Sequence, residues 1–178
     1  TGWFSWFADA LHLVFTMMAI VWTIGMVGWP QYFTLPMELF LIPIIGFIIS
    51  KVFFGIVLYR KRVPCSWYDT IMASIASMGL SHAIARGIFL GLWRKKGEFV
   101  RTAKSRRLGV KPSAFSSVRE ELLMFIALVV AIIGMAYSNG IYYTEGKLWI
   151  GILAAQAIPY ASALIGAWIA HQPSDATA

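Results

Sequence analysis

The 178-residue chain carries too few charged residues to be an ordinary water-soluble domain. Charged residues make up 13% of it, hydrophobic residues make up 59%, and the mean hydropathy is +0.71. A typical soluble domain contains about 25% charged residues. Because so few charges cannot cover a surface that faces water, the composition predicts a protein embedded in lipid.

The net charge of +7 comes mainly from two basic stretches, residues 60–62 and residues 94–111. Within the second stretch, only Glu98 opposes the lysines and arginines. The positive-inside rule predicts that both stretches are cytoplasmic and contact anionic lipid. Nucleic-acid binding, the other common use of basic clusters, is not expected of a chain with several membrane spans. Cys65 is the single cysteine, so an internal disulfide is excluded.

The sequence predicts an all-α membrane protein with about four transmembrane helices and one amphipathic interfacial helix, in a single domain of residues 1–178. The first predicted helix, residues 3–27, is long enough to cross a bilayer. Its polar side chains recur near helical spacing and so fall on one face: Asp9, His12, Thr16 and Thr23. The second predicted span, residues 35–59, contains Pro43 as an expected kink and ends at the first basic stretch.

Residues 66–93 form a predicted amphipathic helix. Ser66 and Asp69 resemble a capping box, and hydroxyl-bearing residues recur at steps of mostly three and four up to Ser81. Basic stretches flank the segment on both sides, so one crossing would place one of them outside, and two crossings would need about 40 residues. We therefore expect the helix to lie in the cytoplasmic interface. The alternative is a spanning helix whose small residues pack against other helices.

Two further spans complete the predicted membrane domain. A cytoplasmic loop, residues 94–116, leads into a span over residues 117–138, which Ser117 and Glu120 begin as a capping box. The last span covers residues 148–170. The loop between these two spans is nearly neutral, as an outer loop should be.

Three ionisable residues inside the predicted spans are candidates for facing a channel: Asp9, His12 and Lys51. An unpaired charge in hydrocarbon costs about 2.5–3.5 kcal/mol, so such residues usually face a cavity or a partner. Hydrogen bonding between helices explains them equally well. No Cys or His spacing typical of a metal site is present. A haem held by two histidines is a weaker interpretation than hydrogen-bonded polar histidines.

The loop segment of residues 96–104 carries the most specific pattern in the chain. Phe99 offers a hydrophobic anchor, and Arg101, Thr102 and Lys104 offer groups that suit phosphate oxygens. A solvated basic loop is the simpler physical interpretation. However, residues 99–104 resemble the Phe-x-Val-Thr-x-Lys gating-loop motif of the bacterial cellulose-synthase-like, family 2 membrane glycosyltransferases. Arg101 stands where the motif has Val. Some bacterial relatives carry an Arg-Thr-Pro-Lys form of the motif, which residues 101–104 resemble except that Ala103 stands in place of Pro.

The order of predicted elements also resembles that family, in which two spans follow the catalytic domain, an interfacial helix precedes the gating loop and further spans follow it. The resemblance implies the glycan-translocating and donor-gating part of a processive enzyme that makes an exopolysaccharide from a nucleotide sugar. Residues 99, 101, 102 and 104 would then contact the donor's diphosphate. The resemblance also implies that the protein is located in the bacterial inner membrane with its basic loops on the cytoplasmic side. Other membrane subunits would be its partners.

The family's catalytic motifs, Asp-x-Asp and Gln-x-x-Arg-Trp, do not occur in this sequence. In the family they precede the first helix seen here, so we expect the chain to be a fragment of a longer polypeptide. A divalent metal, Mg²⁺ or Mn²⁺, is expected in that catalytic domain and no cofactor in this chain. The alternatives are a noncatalytic scaffold subunit of a larger membrane complex and, on the strength of Asp9, Glu38 and Lys51, a small transporter.

Overall fold

The structure, a computed structural model, describes residues 2–35, 37–49, 53, 56, 57, 60, 61, 63–93 and 116–171. These residues form helices and no strands, which confirms the predicted all-α class. The main helices are α1 (Gly2–Gly28), α2 (Met37–Ile48), α3 (Trp67–Gly79), α4 (Ser81–Trp93), α5 (Arg119–Met135) and α6 (Thr144–His171). A π-helical turn, Ala136–Gly140, extends α5.

Four described segments are long and apolar enough to cross a membrane: Trp6–Gly28, Trp67–Trp93, Arg119–Ser138 and Thr144–His171. About four spans were predicted, and three of them coincide with these segments. The remaining predicted span, residues 35–59, is described only in part, chiefly as α2. The segment predicted to be interfacial also satisfies the length and composition of a span, so these two properties alone allow either placement for it.

The predicted capping box at the start of α3 is confirmed. The backbone N–H of Asp69 donates to the Ser66 hydroxyl at 3.1 Å, and the backbone N–H of Ser66 donates to the Asp69 carboxylate at 3.2 Å. These two bonds satisfy donors that the first turn of a helix leaves without partners.

The predicted capping box at residues 117–120 is wrong. Helix α5 begins at Arg119 with Val118 in the N-cap position, and no side chain caps it. The physical reason is competition for the Glu120 carboxylate, which contacts Arg86 and His82 on α4 instead of the backbone at the cap.

The helix predicted over residues 66–93 is two helices that meet at Leu80. Its hydroxyl stripe turns toward the protein, since Thr70 and Ser74 are buried. Tyr68 and Ile71, on the other face of α3, are exposed. The final helix, α6, begins at Thr144 rather than at Leu148, because Glu145 suits the positive end of the helix dipole in that first turn.

Helices α1 and α6 organise the packing of the bundle. Helix α6 packs against α5, α3 and α2, and α1 packs against α4, α2 and α5. At the centre, the buried rings of Phe40 and Trp149 meet edge to face, with centroids 5.0 Å apart. Edge-to-face contact suits the quadrupoles of aromatic rings. This core holds α1, α2 and α6 in place around the buried polar residues described next.

Candidate functional site

The polar face predicted for α1 is buried in the bundle. Asp9, His12, Thr16 and Thr23 are all almost entirely shielded from solvent. The hydroxyls of Thr16 and Thr23 donate to backbone carbonyls one turn earlier, at 2.8 Å and 2.7 Å. These bonds satisfy the two hydroxyls within α1, whereas lipid cannot solvate the ionisable Asp9 and His12, which suits their burial in the bundle.

His12 lies between two aromatic rings. Its imidazole stacks on Phe47 of α2, with ring centroids 4.1 Å apart and planes 15° apart. Its centroid is 5.9 Å from that of Tyr160 on α6. The candidate residue His12 therefore joins α1 to both neighbouring helices.

Two contacts show that α1 and α6 run antiparallel. The Trp149 indole N–H donates to the Thr23 hydroxyl at 2.9 Å, and further along His12 lies beside Tyr160. The residues between these contacts are equal in number on both helices, so Gln156 lies at the level of Thr16. Gln156 is fully buried, and neither atom of its amide has a hydrogen-bond partner among the described residues.

A second histidine, His82, also lies near Tyr160. The His82 and Tyr160 ring centroids are 5.8 Å apart. His82 Nε2 donates to Glu120 Oε2 at 3.3 Å, and Glu120 Oε1 accepts from Arg86 at 2.7 Å. The resulting polar cluster, His12, Tyr160, His82, Glu120 and Arg86, connects helices α1, α6, α4 and α5.

The polar cluster includes residues of the two helices that flank the basic loop. Arg86 is in α4, which precedes residues 94–115, and Glu120 is in the first turn of α5, which follows them. Four predicted contact residues for the donor lie in that loop, outside the described residues: Phe99, Arg101, Thr102 and Lys104. Lys51 also lies outside them. Asp9 and His12 are the channel candidates that the structure locates.

Two cavities adjoin these residues. One, of about 380 Å³, lies between α1 and α2 and is mainly apolar, with lining residues that include Phe7, Leu11, His12, Phe15 and Phe47. The other, of about 420 Å³, lies between α4 and the start of α5 and is more polar. Within the described part of the chain, no three His, Cys, Asp or Glu side chains come close enough together to hold a metal ion.

Sequence reasoning missed Tyr160, His82 and Glu120 as members of one cluster. Each of them looks unremarkable on its own helix, because its partner comes from a helix distant in the chain. Comparison of the chain with protein-family models, with curated proteins and with solved structures finds no match.

Proposed function

We propose that the chain is the membrane-spanning, donor-gating part of a processive glycosyltransferase that makes an exopolysaccharide from a nucleotide sugar. The observation that carries the proposal is the segment at residues 99–104, which resembles the gating loop of family 2 membrane glycosyltransferases. Phe99, Thr102 and Lys104 match that motif. A hydroxyl and an ammonium on one loop can bind diphosphate oxygens.

The elements on either side of that loop support the proposal. The loop follows an apolar, two-part helix, residues 67–93, and precedes two consecutive segments long enough to span a membrane. This is the order of elements that the resemblance implies. Among the described residues, Arg60 lies over the Trp67 ring at 4.3 Å. A cation and a tryptophan together are typical of a membrane–water interface, which suits an interfacial start of α3.

The interior of the bundle offers groups that suit a sugar polymer. Gln156 provides buried amide donors and acceptors, and His12 adds a polar ring to the cleft between α1 and α2. Phe7 and Phe15 present aromatic faces in the same cleft. Aromatic rings stack on the apolar faces of sugar rings, and amides form hydrogen bonds with sugar hydroxyls. We accordingly include these helices in the route by which the polymer leaves the cell interior.

The test uses the complete protein in its native bacterial membrane, prepared as inverted vesicles. Thr102→Ala and Lys104→Ala each remove one proposed diphosphate contact. We expect each to raise the KM for the nucleotide-sugar donor by about 10-fold or more, because a hydrogen bond to a charged group contributes about 1.5–3 kcal/mol. Incorporation of labelled sugar into polymer, measured over a panel of nucleotide sugars, gives the KM and kcat.

Lys111→Ala is the matched control, because it removes one positive charge from the same basic stretch outside the six-residue motif. It should leave the KM unchanged. Equal effects of Lys111→Ala and Lys104→Ala would show a general charge effect and contradict the gating role. If unaltered vesicles used no nucleotide sugar at all, the chain would instead be assigned to the scaffold-subunit class.

A further inference from the structure

The cavity between α4 and the start of α5 is lined by charged groups of both signs. Its volume of about 420 Å³ is within the usual range for a small-molecule site. The charged residues in its wall are Arg86, Arg119, Glu120 and Glu121, and His82 lies beside them. Their formal charges sum to zero when His82 is neutral, so the cavity favours neither a simple anion nor a simple cation.

Part of this charge is already compensated inside the protein. Glu120 accepts from Arg86 at 2.7 Å and contacts His82 at 3.3 Å. The Arg86–Glu120 ion pair neutralises one guanidinium and one carboxylate of the cavity wall. It leaves one group of each sign, Glu121 and Arg119, two residues apart in the first turn of α5.

Glu121 is the stronger indication of a ligand. The residue is only 8% exposed, yet it forms no hydrogen bond and no ion pair with any described residue. Its carboxylate oxygens are not sealed off from solvent, so a ligand in the cavity can reach them. Since Glu121 lines the cavity, a cationic donor placed there would supply the missing partner.

Arg119 supplies the opposite charge. Its side chain is exposed, lines the same cavity and has no ion-pair partner among the described residues. It lies at the start of α5, where no side chain caps the backbone N–H groups. Those N–H groups and the positive end of the helix dipole favour an anion such as a phosphate.

We propose that this cavity binds the headgroup of a zwitterionic phospholipid that carries a primary amine, such as phosphatidylethanolamine. Glu121 accepts hydrogen bonds from the ammonium group, and Arg119 binds the phosphate. A lipid is the source because the cavity lies between two apolar segments long enough to span a membrane. Its wall includes Leu90, which is partly exposed and gives an acyl chain an apolar path out of the cavity. The proposal does not depend on glycosyltransferase activity.

The experiment measures lipid binding to the complete purified protein by native mass spectrometry. The three probes are phosphatidylethanolamine, phosphatidylcholine and phosphatidylglycerol. The first has a hydrogen-bonding ammonium, the second a methylated cation without N–H donors, and the third no cation. We expect phosphatidylethanolamine to bind most tightly. Glu121→Gln should weaken it about tenfold and abolish its advantage over phosphatidylglycerol, because a hydrogen bond to a charged group is lost.

Arg119→Gln is a second variant that tests the phosphate contact even if Glu121→Gln fails to fold. Because Arg119 is exposed, its substitution should not prevent folding. It should weaken all three lipids by a similar factor, because all three contain a phosphate. Glu145→Gln, in the exposed first turn of α6, is the matched control and should change nothing. Equal binding of phosphatidylethanolamine and phosphatidylglycerol by the unaltered protein would overturn the proposal. Competition by soluble glycerophosphoethanolamine as strong as that by the lipid would overturn the lipid assignment.

Discussion

Trp149 combines a large apolar ring with one polar group that must find a partner. The residue is fully buried, and its indole N–H donates to the Thr23 hydroxyl at 2.9 Å. Thr23 in turn donates to the carbonyl of Ala19 at 2.7 Å. The hydroxyl therefore acts as donor and acceptor at once and joins α6 to α1 at a point that water does not reach.

Thr23→Val tests this contact while it preserves the size and branching of the side chain. The valine leaves the Trp149 N–H buried without an acceptor, so we expect a loss of about 1 kcal/mol in the free energy of unfolding. Thermal unfolding of the purified protein in detergent would measure it. Thr34→Val, at an exposed hydroxyl, is the control and should cost far less. Equal stability of the two variants would contradict a stabilising role for the indole hydrogen bond.

The residues of α1 show what sequence can establish at this scale. Helical spacing alone predicts that Asp9, His12, Thr16 and Thr23 share a face, and the structure buries all four. Spacing along one helix carries no information about the facing helix. Tyr160 was for that reason not expected beside His12.

At the scale of elements, two helices approach each other closely where α3 ends. A Cβ atom built on Gly79 would be 3.1 Å from both the Cα and the backbone nitrogen of Ala163 on α6. Backbone atoms in the middle of a helix cannot give way as a flexible side chain can. A small residue at this contact lets the two helices pack closely, as is common in membrane bundles.

Gly79→Ala should therefore be destabilising, although alanine normally favours a helix over glycine. We expect a loss of about 1–3 kcal/mol, the usual cost of overpacking. Gly151→Ala on α6 is the matched control, because a Cβ there meets no atom within 4 Å. That variant should be neutral or slightly stabilising. Chemical or thermal unfolding of the two proteins would compare them, and a Gly79→Ala protein as stable as Gly151→Ala would contradict the close packing.

Element existence was more predictable than element ends. The length of the apolar segments is enough to locate α1, α5 and α6, because a helix needs about 20 apolar residues to cross a bilayer. The cap at Ser66 was also predictable, since its partner Asp69 is local. The cap expected at Ser117 was not formed because Glu120 finds Arg86 and His82 on another helix. A local signal fails where a distant charge competes for the same group.

For the whole molecule, the level at which residues 67–93 meet the other helices is informative. His82, near the middle of this segment, contacts Glu120 in the first turn of α5. Gly79, three residues earlier in the same segment, packs against Ala163 in the middle of α6. The middle of this segment thus meets one span near its end and another near its middle, so the sidedness of its two ends decides between the interfacial and the crossing placement.

The interfacial placement expected for residues 67–93 predicts on which side of the membrane the two ends of this segment lie. If residues 67–93 lie in the cytoplasmic interface, then Lys61 and Lys104 are on the same side of the membrane. If the segment crosses, they are on opposite sides. In a Cys65→Ser background, Lys61→Cys and Lys104→Cys provide single thiols for a membrane-impermeant maleimide. The loop at residues 141–143, between α5 and α6, provides the opposite-side reference through Tyr142→Cys.

We expect intact cells to be labelled at position 142 only, and positions 61 and 104 to be labelled only after the membrane is opened. The physical reason is that basic residues are retained on the cytoplasmic side, which is also where soluble nucleotide donors are found. Labelling of positions 61 and 104 from opposite sides would establish a crossing segment and contradict the interfacial placement. If position 104 were the external one, the loop could not reach a cytoplasmic donor, and the glycosyltransferase proposal would fail with it.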